Sequence, residues 1–185
     1  MEWSDEGAGL ERKFHRPETG LALTEGGRVE GYASVFGLAD QGGDVVLPGA
    51  YAASLASLKA AGRGVKMLWQ HDPGQPIGVW DHVAEDARGL YVRGRLLPEV
   101  ARAREALALV GAGAVDGLSI GYRTKRAERD GKGRRLLAEL ELWEVSLVTF
   151  PMLPEARVQA KGAAPDALAL LAAAFDEARR NLSGR

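Results

Sequence analysis

The sequence contains no cysteine among its 185 residues, which excludes disulfide bonds, a thiolate nucleophile and cysteine-based zinc sites. Its 24 basic and 25 acidic residues nearly cancel, to a formal net charge of −1. This balance gives no electrostatic reason to expect nucleic acid or an anionic membrane as a partner. No apolar run reaches the ~18 residues that would cross a bilayer, and the acidic start lacks the apolar segment of a signal peptide. We therefore expect a protein of the cytoplasm.

Short stretches of alternating apolar and polar residues dominate the middle of the chain. They predict strands at 28–36, 65–71, 77–83, 89–97, 117–126 and 136–150. Helical signals predict helices near 50–61, at 98–110 and from Pro165 onward. The fold class expected from this order is α+β or mainly β: a closed or nearly closed antiparallel β-barrel with helices packed outside it. We expect three parts: a flexible N-terminal arm (1–27), a barrel domain (28–160) and a C-terminal helical tail (161–185).

The segment 117–121, Gly-Leu-Ser-Ile-Gly, has the Gly-x-Ser-x-Gly pattern of a nucleophile elbow. In an α/β-hydrolase the acid and the histidine follow that serine in the chain. Here all three histidines, His15, His71 and His82, precede Ser119. The order therefore contradicts an α/β-hydrolase and favours a chemistry with the histidine first, the serine second and the acid last.

Strand alternation indicates which residues could join Ser119. Glu144 shares the even-numbered register of the leucines before it, and a buried carboxylate needs a partner or a proton. His71 shares a face with the apolar residues of its predicted strand. The neighbours of Ser119 on its own face are Gly117 and Gly121, which leave the backbone open to a substrate. His71, Ser119 and Glu144 could thus supply a base, a nucleophile and an orienting acid.

Each of these residues also has a simpler interpretation. Ser119 could be structural, His71 could be a satisfied or exposed histidine, and Glu144 could pair with an arginine such as Arg123. Ser146 is a rival nucleophile on the Glu144 face. The rivals for the acid are Asp72, Asp81 and Asp116.

A metal site is a further alternative. His71 and Asp72 together with His82 offer imidazole and carboxylate ligands that suit zinc or iron. The helical His-x-x-x-His spacing that would support such a site is absent from the sequence. We therefore expect no metal and no other cofactor.

Five segments resemble, in the same order, the prohead proteases of HK97-type phages: Gly31–Phe36, Asp44–Tyr51, Met67–Asp72, Gly117–Tyr122 and Trp143–Pro151. The similarity runs from about residue 29 to residue 160. It implies a serine peptidase of capsid maturation, with a barrel like that of the herpesvirus assemblins.

On this resemblance, His71 of the Gln-His-Asp motif is the base and Ser119 is the nucleophile. Assemblins carry a second histidine on the strand after the serine, and this chain has none there. Glu144 lies in that region, so its assignment as the third member comes from strand register as well as from the motif.

The resemblance also implies a place of action and a partner. The enzyme would lie inside the procapsid, in the cytoplasm of a bacterial host, and would cut the scaffold or the scaffolding segment of the major capsid protein, and finally itself. It would bind neither nucleic acid nor membrane, and whether it forms a homo-oligomer stays open. A phage, a prophage or a phage-derived gene transfer agent would each fit. Two other functions remain: a non-catalytic barrel protein inside the capsid, and a metal-dependent hydrolase that uses His71, His82 and Glu144.

Overall fold

Alternating side chains give the chain a mainly β structure, shown here by a computed structural model. The structure describes residues 11–15, 22–24, 26–40 and 42–149. The strands are β1 (Glu11–His15), β2 (Ala22–Thr24), β3 (Arg28–Val35), β4 (Val45–Val46), β5 (Lys66–Trp69), β6 (Asp72–Glu85), β7 (Gly89–Leu96), β8 (Gly117–Arg129) and β9 (Arg135–Val148). The helices are α1 (Ala52–Ala60) and α2 (Ala101–Gly111).

The strands form one nine-stranded sheet in the order β1-β8-β9-β5-β6-β7-β3-β2, and β4 pairs with β9 beside this path. Most pairs are antiparallel, but β9 runs parallel to both β4 and β5. The sheet curls until β3 lies near β1 and β8. Because β2 occupies the outer edge of β3, the described strands do not join into a closed ring.

The expected closed or nearly closed antiparallel barrel is not confirmed, because the described strands form a curled half-barrel sheet of mixed strand direction. The prediction of a mainly β fold is confirmed, and the described residues also contain two helices. Likeness to the assemblins stays a prediction.

The core lies inside the curl of the sheet, and its largest fully buried side chains include Ile77, Leu90, Leu96, Leu118, Ile120, Leu140, Leu142 and Leu147. Burial of each such side chain contributes about 1.5–3 kcal/mol to folding. Helix α1 lies against β9, where the Ser54 hydroxyl accepts the Leu142 N–H at 2.9 Å. Helix α2 buries Ala103, Ala106 and Val110 and contacts β6 and β7. Neither helix of the described residues is long and apolar enough to cross a membrane.

The stretch 1–27, which we expected to be a flexible arm, contains two strands of the sheet. β1 pairs with β8 and β2 pairs with β3. The sequence of β1, Glu-Arg-Lys-Phe-His, contains one apolar residue, so it has no alternating pattern that would predict a strand. Its place comes from backbone pairing with an existing edge. The predicted tail, 161–185, lies outside the described residues.

Candidate active site

Ser119 lies near the start of β8, in a stretch that is buried from Gly117 to Tyr122. It is fully buried, and in the register between β8 and β9 it faces Ser146. Residues directly opposite each other in an antiparallel pair have side chains on the same face of the sheet. Leu118 and Ile120 point to the core face with their partners on β9. The two serines therefore lie on the opposite face from the core.

His71 does not end strand β5, as we expected, but lies in the turn that follows it. Trp69 pairs with Asp72, so Gln70 and His71 form a two-residue hairpin loop. Both have positive φ, 52° and 62°, as the central residues of a type I′ turn do. Each such conformation costs a residue other than glycine of order 1–3 kcal/mol. The turn projects the imidazole of His71 away from the β5 register and towards β8.

Gln70 fastens this turn to the end of β9. Its backbone N–H donates to the carbonyl of Leu147 at 3.0 Å, and its side-chain amide donates to the Thr149 hydroxyl at 2.7 Å. These bonds offset the unfavourable backbone conformation. They hold the histidine in one position.

Glu144 reaches the same face through a β-bulge. Gly121 pairs with Glu144, and the next residue, Tyr122, pairs with Leu142. Trp143 is thus the extra residue, and its side chain is 45% exposed. A bulge of this kind reverses the faces of the residues beyond it. Our prediction that Glu144 shares the face of Leu140 and Leu142 was therefore wrong, although the expectation that a buried carboxylate has partners is met.

The three side chains are joined by hydrogen bonds. Glu144 Oε1 lies 2.5 Å from His71 Nδ1, and His71 Nε2 lies 2.6 Å from Ser119 Oγ. With Glu144 as an ionised carboxylate, which only accepts, Nδ1 donates to it and Nε2 accepts the hydrogen of the serine hydroxyl. A histidine in this tautomer can act as a base towards the hydroxyl. All three residues are at most 7% exposed, so solvent does not compete for these bonds.

Ser146 contacts the other side of this group. Its hydroxyl donates to Glu144 Oε2 at 2.5 Å and accepts the backbone N–H of His71 at 3.2 Å. We considered Ser146 as a rival nucleophile from the sequence. In the structure it links the carboxylate to the strained turn, and both carboxylate oxygens of Glu144 have a donor.

Gly121 makes room for the carboxylate. A Cβ built at position 121 would lie 2.2 Å from Glu144 Oε1, and real Cβ contacts are essentially never so short. We expected this glycine to expose backbone to a substrate. The geometry shows a different requirement, because any side chain at position 121 displaces Glu144. Gly117 lies at the start of β8 opposite Val148.

The competing candidates lie in other surroundings. Asp81 forms an ion pair with Arg95, and Asp72 accepts the N–H of Gly74 at 2.8 Å. Asp116 is buried just before β8. Arg123, the suggested partner of Glu144, instead stacks on the ring of Trp143 at 5.7 Å.

The remaining histidine of the alternative metal site, His82, is exposed, and its ring lies 6.3 Å from that of Tyr91. In the described ranges, no three histidine or acidic side chains are grouped in a way that could hold a metal ion.

Comparison with known proteins places this chain in a family. The family model of the caudovirus prohead serine protease matches residues 14–168. The prohead protease of Enterobacteria phage HK97 is 38% identical over an alignment of 149 residues, and the match covers 77% of this chain. The match spans 65% of the length of that relative.

Among solved structures, the capsid assembly protease of bacteriophage T4 superimposes with a TM-score of 0.60. The match covers 77% of this chain and 98% of the T4 chain at 15% identity, so it supports a common fold alone. These relatives are phage proteins, and they give no support to a gene transfer agent. The family match, which covers most of the chain, shows that this protein belongs to the caudovirus prohead serine protease family.

Proposed function

We propose that this chain is a serine endopeptidase of capsid maturation, with Ser119 as nucleophile, His71 as general base and Glu144 as the group that orients the histidine. The hydrogen-bonded series from Glu144 Oε1 through the imidazole to Ser119 Oγ carries the proposal. Family membership supports it independently.

The proposed reaction follows from the positions of the protons. Ser119 Oγ attacks the scissile carbonyl carbon while its proton passes to His71 Nε2. The imidazolium formed is stabilised by the Glu144 carboxylate at Nδ1. His71 then gives the proton to the leaving amine as the C–N bond breaks, which leaves an acyl ester on Ser119. A water molecule, deprotonated by the same histidine, hydrolyses that ester and restores the enzyme.

Ser146 acts in this scheme as a positioning residue. Its hydroxyl holds Glu144 Oε2 and the His71 backbone. Catalysis depends on such alignment, since a displacement of about 1 Å can cost about 100-fold in rate.

The substrate we propose is the scaffold or the scaffolding segment of the major capsid protein, cut inside the procapsid, with self-cleavage afterwards. The HK97 relative is a prohead protease and the T4 neighbour is a capsid assembly protease. The proposed surroundings are the interior of the procapsid in the bacterial host. We also retain backbone contacts of Gly117 and Gly121 with substrate as a proposal.

Co-expression with the capsid gene of the same genome, followed by intact-mass measurement of the capsid chain, tests this function. We expect a shortened capsid or scaffold chain with the wild type, and the full-length chain with Ser119→Ala at equal expression. The shortening should persist when a chelator is added to purified protease and substrate. Full-length substrate with folded wild type would favour a non-catalytic capsid component, and cleavage abolished by the chelator would favour a metal-dependent hydrolase.

A further inference from the structure

The edge of β9 that faces away from β8 changes its partner along its length. It pairs with β4 at 136–137 and with β5 at 144–147. Between these two stretches helix α1 lies against β9, and the N–H of Leu142 donates to the hydroxyl of Ser54 at 2.9 Å. A side chain of the helix thus supplies an acceptor to β9 in the gap between two neighbouring strands.

Ser54 is an unusual residue for its position on α1. It is the one buried residue of this helix, whereas the buried face of a helix ordinarily carries apolar side chains. A buried hydroxyl is unfavourable unless it forms a hydrogen bond. Leu142 is also buried, so its N–H needs an acceptor for the same reason. The serine therefore meets a requirement of β9 rather than one of helix packing.

A bulge at Trp143 is needed to satisfy both attachments on this edge of β9. In a regular strand the N–H and C=O of one residue point to the same edge, and those of the next residue point to the other edge. Ser54 receives the N–H of Leu142, and Gln70, in the turn after β5, donates to the carbonyl of Leu147. An even-numbered and an odd-numbered residue can both point to one edge only when an extra residue lies between them. Trp143 is that residue.

The bulge in turn determines the face on which Glu144 lies. Without the extra residue, Glu144 would share the face of Leu142, whose side chain belongs to the core. With it, Glu144 Oε1 lies 2.5 Å from His71 Nδ1. The attachment at Ser54 lies just ahead of the bulge, so its loss would allow β9 to shift where the carboxylate turns towards His71.

We propose that Ser54 is a positioning residue of this site: its hydroxyl fixes β9 ahead of the bulge and thereby keeps the Glu144 carboxylate on His71. The effect passes through the backbone of β9. This inference rests on the proposed peptidase function and adds a residue from helix α1 to the same site.

Ser54→Ala in the full-length chain tests this inference by two readouts. The first is labelling by a fluorophosphonate, which reacts with an activated serine. We expect the maximal labelling rate to fall about three- to tenfold, with the probe concentration at half-maximal rate unchanged. The second is the proton NMR signal of the His71 Nδ1–H, identified by isotope labelling of histidine and by its loss in Glu144→Gln. A hydrogen bond to a carboxylate moves such a signal downfield, so we expect an upfield shift in Ser54→Ala.

Three further variants separate positioning from a general loss of stability. Ser57→Ala removes a hydroxyl from the exposed face of the same helix and should change neither readout. Val110→Ala opens a cavity at a buried position of α2 and should lower Tm, but should leave both readouts of the folded molecule unchanged. Ser54→Cys keeps a weaker acceptor of similar size and should lie between wild type and Ser54→Ala. Thermal unfolding gives a temperature at which every variant is folded.

Each outcome decides a different point. With a labelled wild type, an unchanged maximal rate or an unchanged His71 signal in folded Ser54→Ala overturns the role of Ser54 and leaves the peptidase intact. Equal changes in Val110→Ala overturn it as well, because they would show a general effect of stability. If Ser54→Ala does not fold, Ser54→Cys decides in the same way. A folded wild type that is not labelled overturns the proposed function together with this inference.

Discussion

Strands β8 and β9 present two fully buried serines directly opposite each other, with different surroundings. On β8, Ser119 meets the imidazole of His71 through Nε2. On β9, Ser146 meets the backbone N–H of His71 and the carboxylate of Glu144. Two serines that lie on one face, directly opposite each other, thus have different hydrogen-bond partners. In the proposed mechanism, contact with His71 Nε2, and not burial or register, separates the nucleophile Ser119 from the positioning residue Ser146.

The largest loss of turnover should follow from removing Ser119 on β8 or its partner His71. We expect Ser119→Ala or His71→Ala alone to reduce turnover by about 10⁴-fold or more, and the double variant to be no slower, because the two act as one unit. Peptide cleavage by the three variants at matched concentrations measures this. A further large loss in the double variant would show that the two residues act separately.

Glu144→Gln tests whether the carboxylate orients His71 for catalysis or stabilises the fold. The amide keeps the shape but can donate to Nδ1, which favours the wrong tautomer and costs about 10⁴-fold in kcat in a comparable triad. We therefore expect a large loss of turnover with little change in Tm. A lower Tm with nearly intact turnover per folded molecule would make Glu144 structural.

Gly121→Ala should act on the site through Glu144. The added Cβ would lie 2.2 Å from Oε1, so the carboxylate must shift, and we expect a loss of about 10- to 100-fold in kcat. Gly131→Ala is the matched control, since nothing lies within 4 Å of a Cβ there. Equal turnover in the two variants would mean that the position of Glu144 does not matter.

Ser146→Ala, on the β9 side, should have a smaller effect. The triad stays complete, but Glu144 loses one donor and the His71 turn loses one acceptor, so we expect about a tenfold lower kcat with KM unchanged. Steady-state kinetics separates the two constants. Abolished labelling by a fluorophosphonate, with the fold intact, would instead make Ser146 the nucleophile.

The smallest effect concerns the pH dependence of stability at Glu11, the first residue of β1, which bonds to Thr124 and Arg135. Partial burial raises the pKa of Glu11, but hydrogen bonds from Arg135 and Thr124 outweigh it and lower the pKa below its usual value. The stabilisation is thus present above the usual carboxyl pKa and is lost as pH falls through the lowered one. Thermal unfolding should give a higher Tm for the wild type than for Glu11→Gln at neutral pH. The difference in Tm should become smaller in acid. A constant difference would mean that Glu11 does not stabilise β1 through its charge.

Motif, chain order and the expected burial of a carboxylate were enough to propose the three residues from the sequence, and their catalytic roles stay a prediction. The sequence did not predict how they meet. The amino-acid sequence around Trp143 does not indicate a bulge, so simple alternation placed Glu144 on the core face. The turn at Gln70 and His71 lacks the Asn-Gly or Asp-Gly pair that marks a type I′ hairpin. The strain there is offset by bonds from Gln70 to Leu147 and Thr149, and Thr149 lies 79 residues further along the chain.

The fold was predicted in part for similar reasons. Strands with an apolar face, such as β3, β7 and β8, were found within a few residues of their ends. β1 was missed, because an edge strand depends on the backbone of its neighbour. The described strands do not close into a ring because β2, which is three residues long, pairs with the outer edge of β3. A closed barrel would need that edge of β3 for another strand.

The most direct test of the account is to find which serine reacts. Wild type, Ser119→Ala and Ser146→Ala are each treated with a fluorophosphonate, digested and mapped by mass spectrometry. We predict a single added group on Ser119 in the wild type and in Ser146→Ala, and none in Ser119→Ala. A group found on Ser146, or labelling that persists in Ser119→Ala, would contradict the assignment of the two serines.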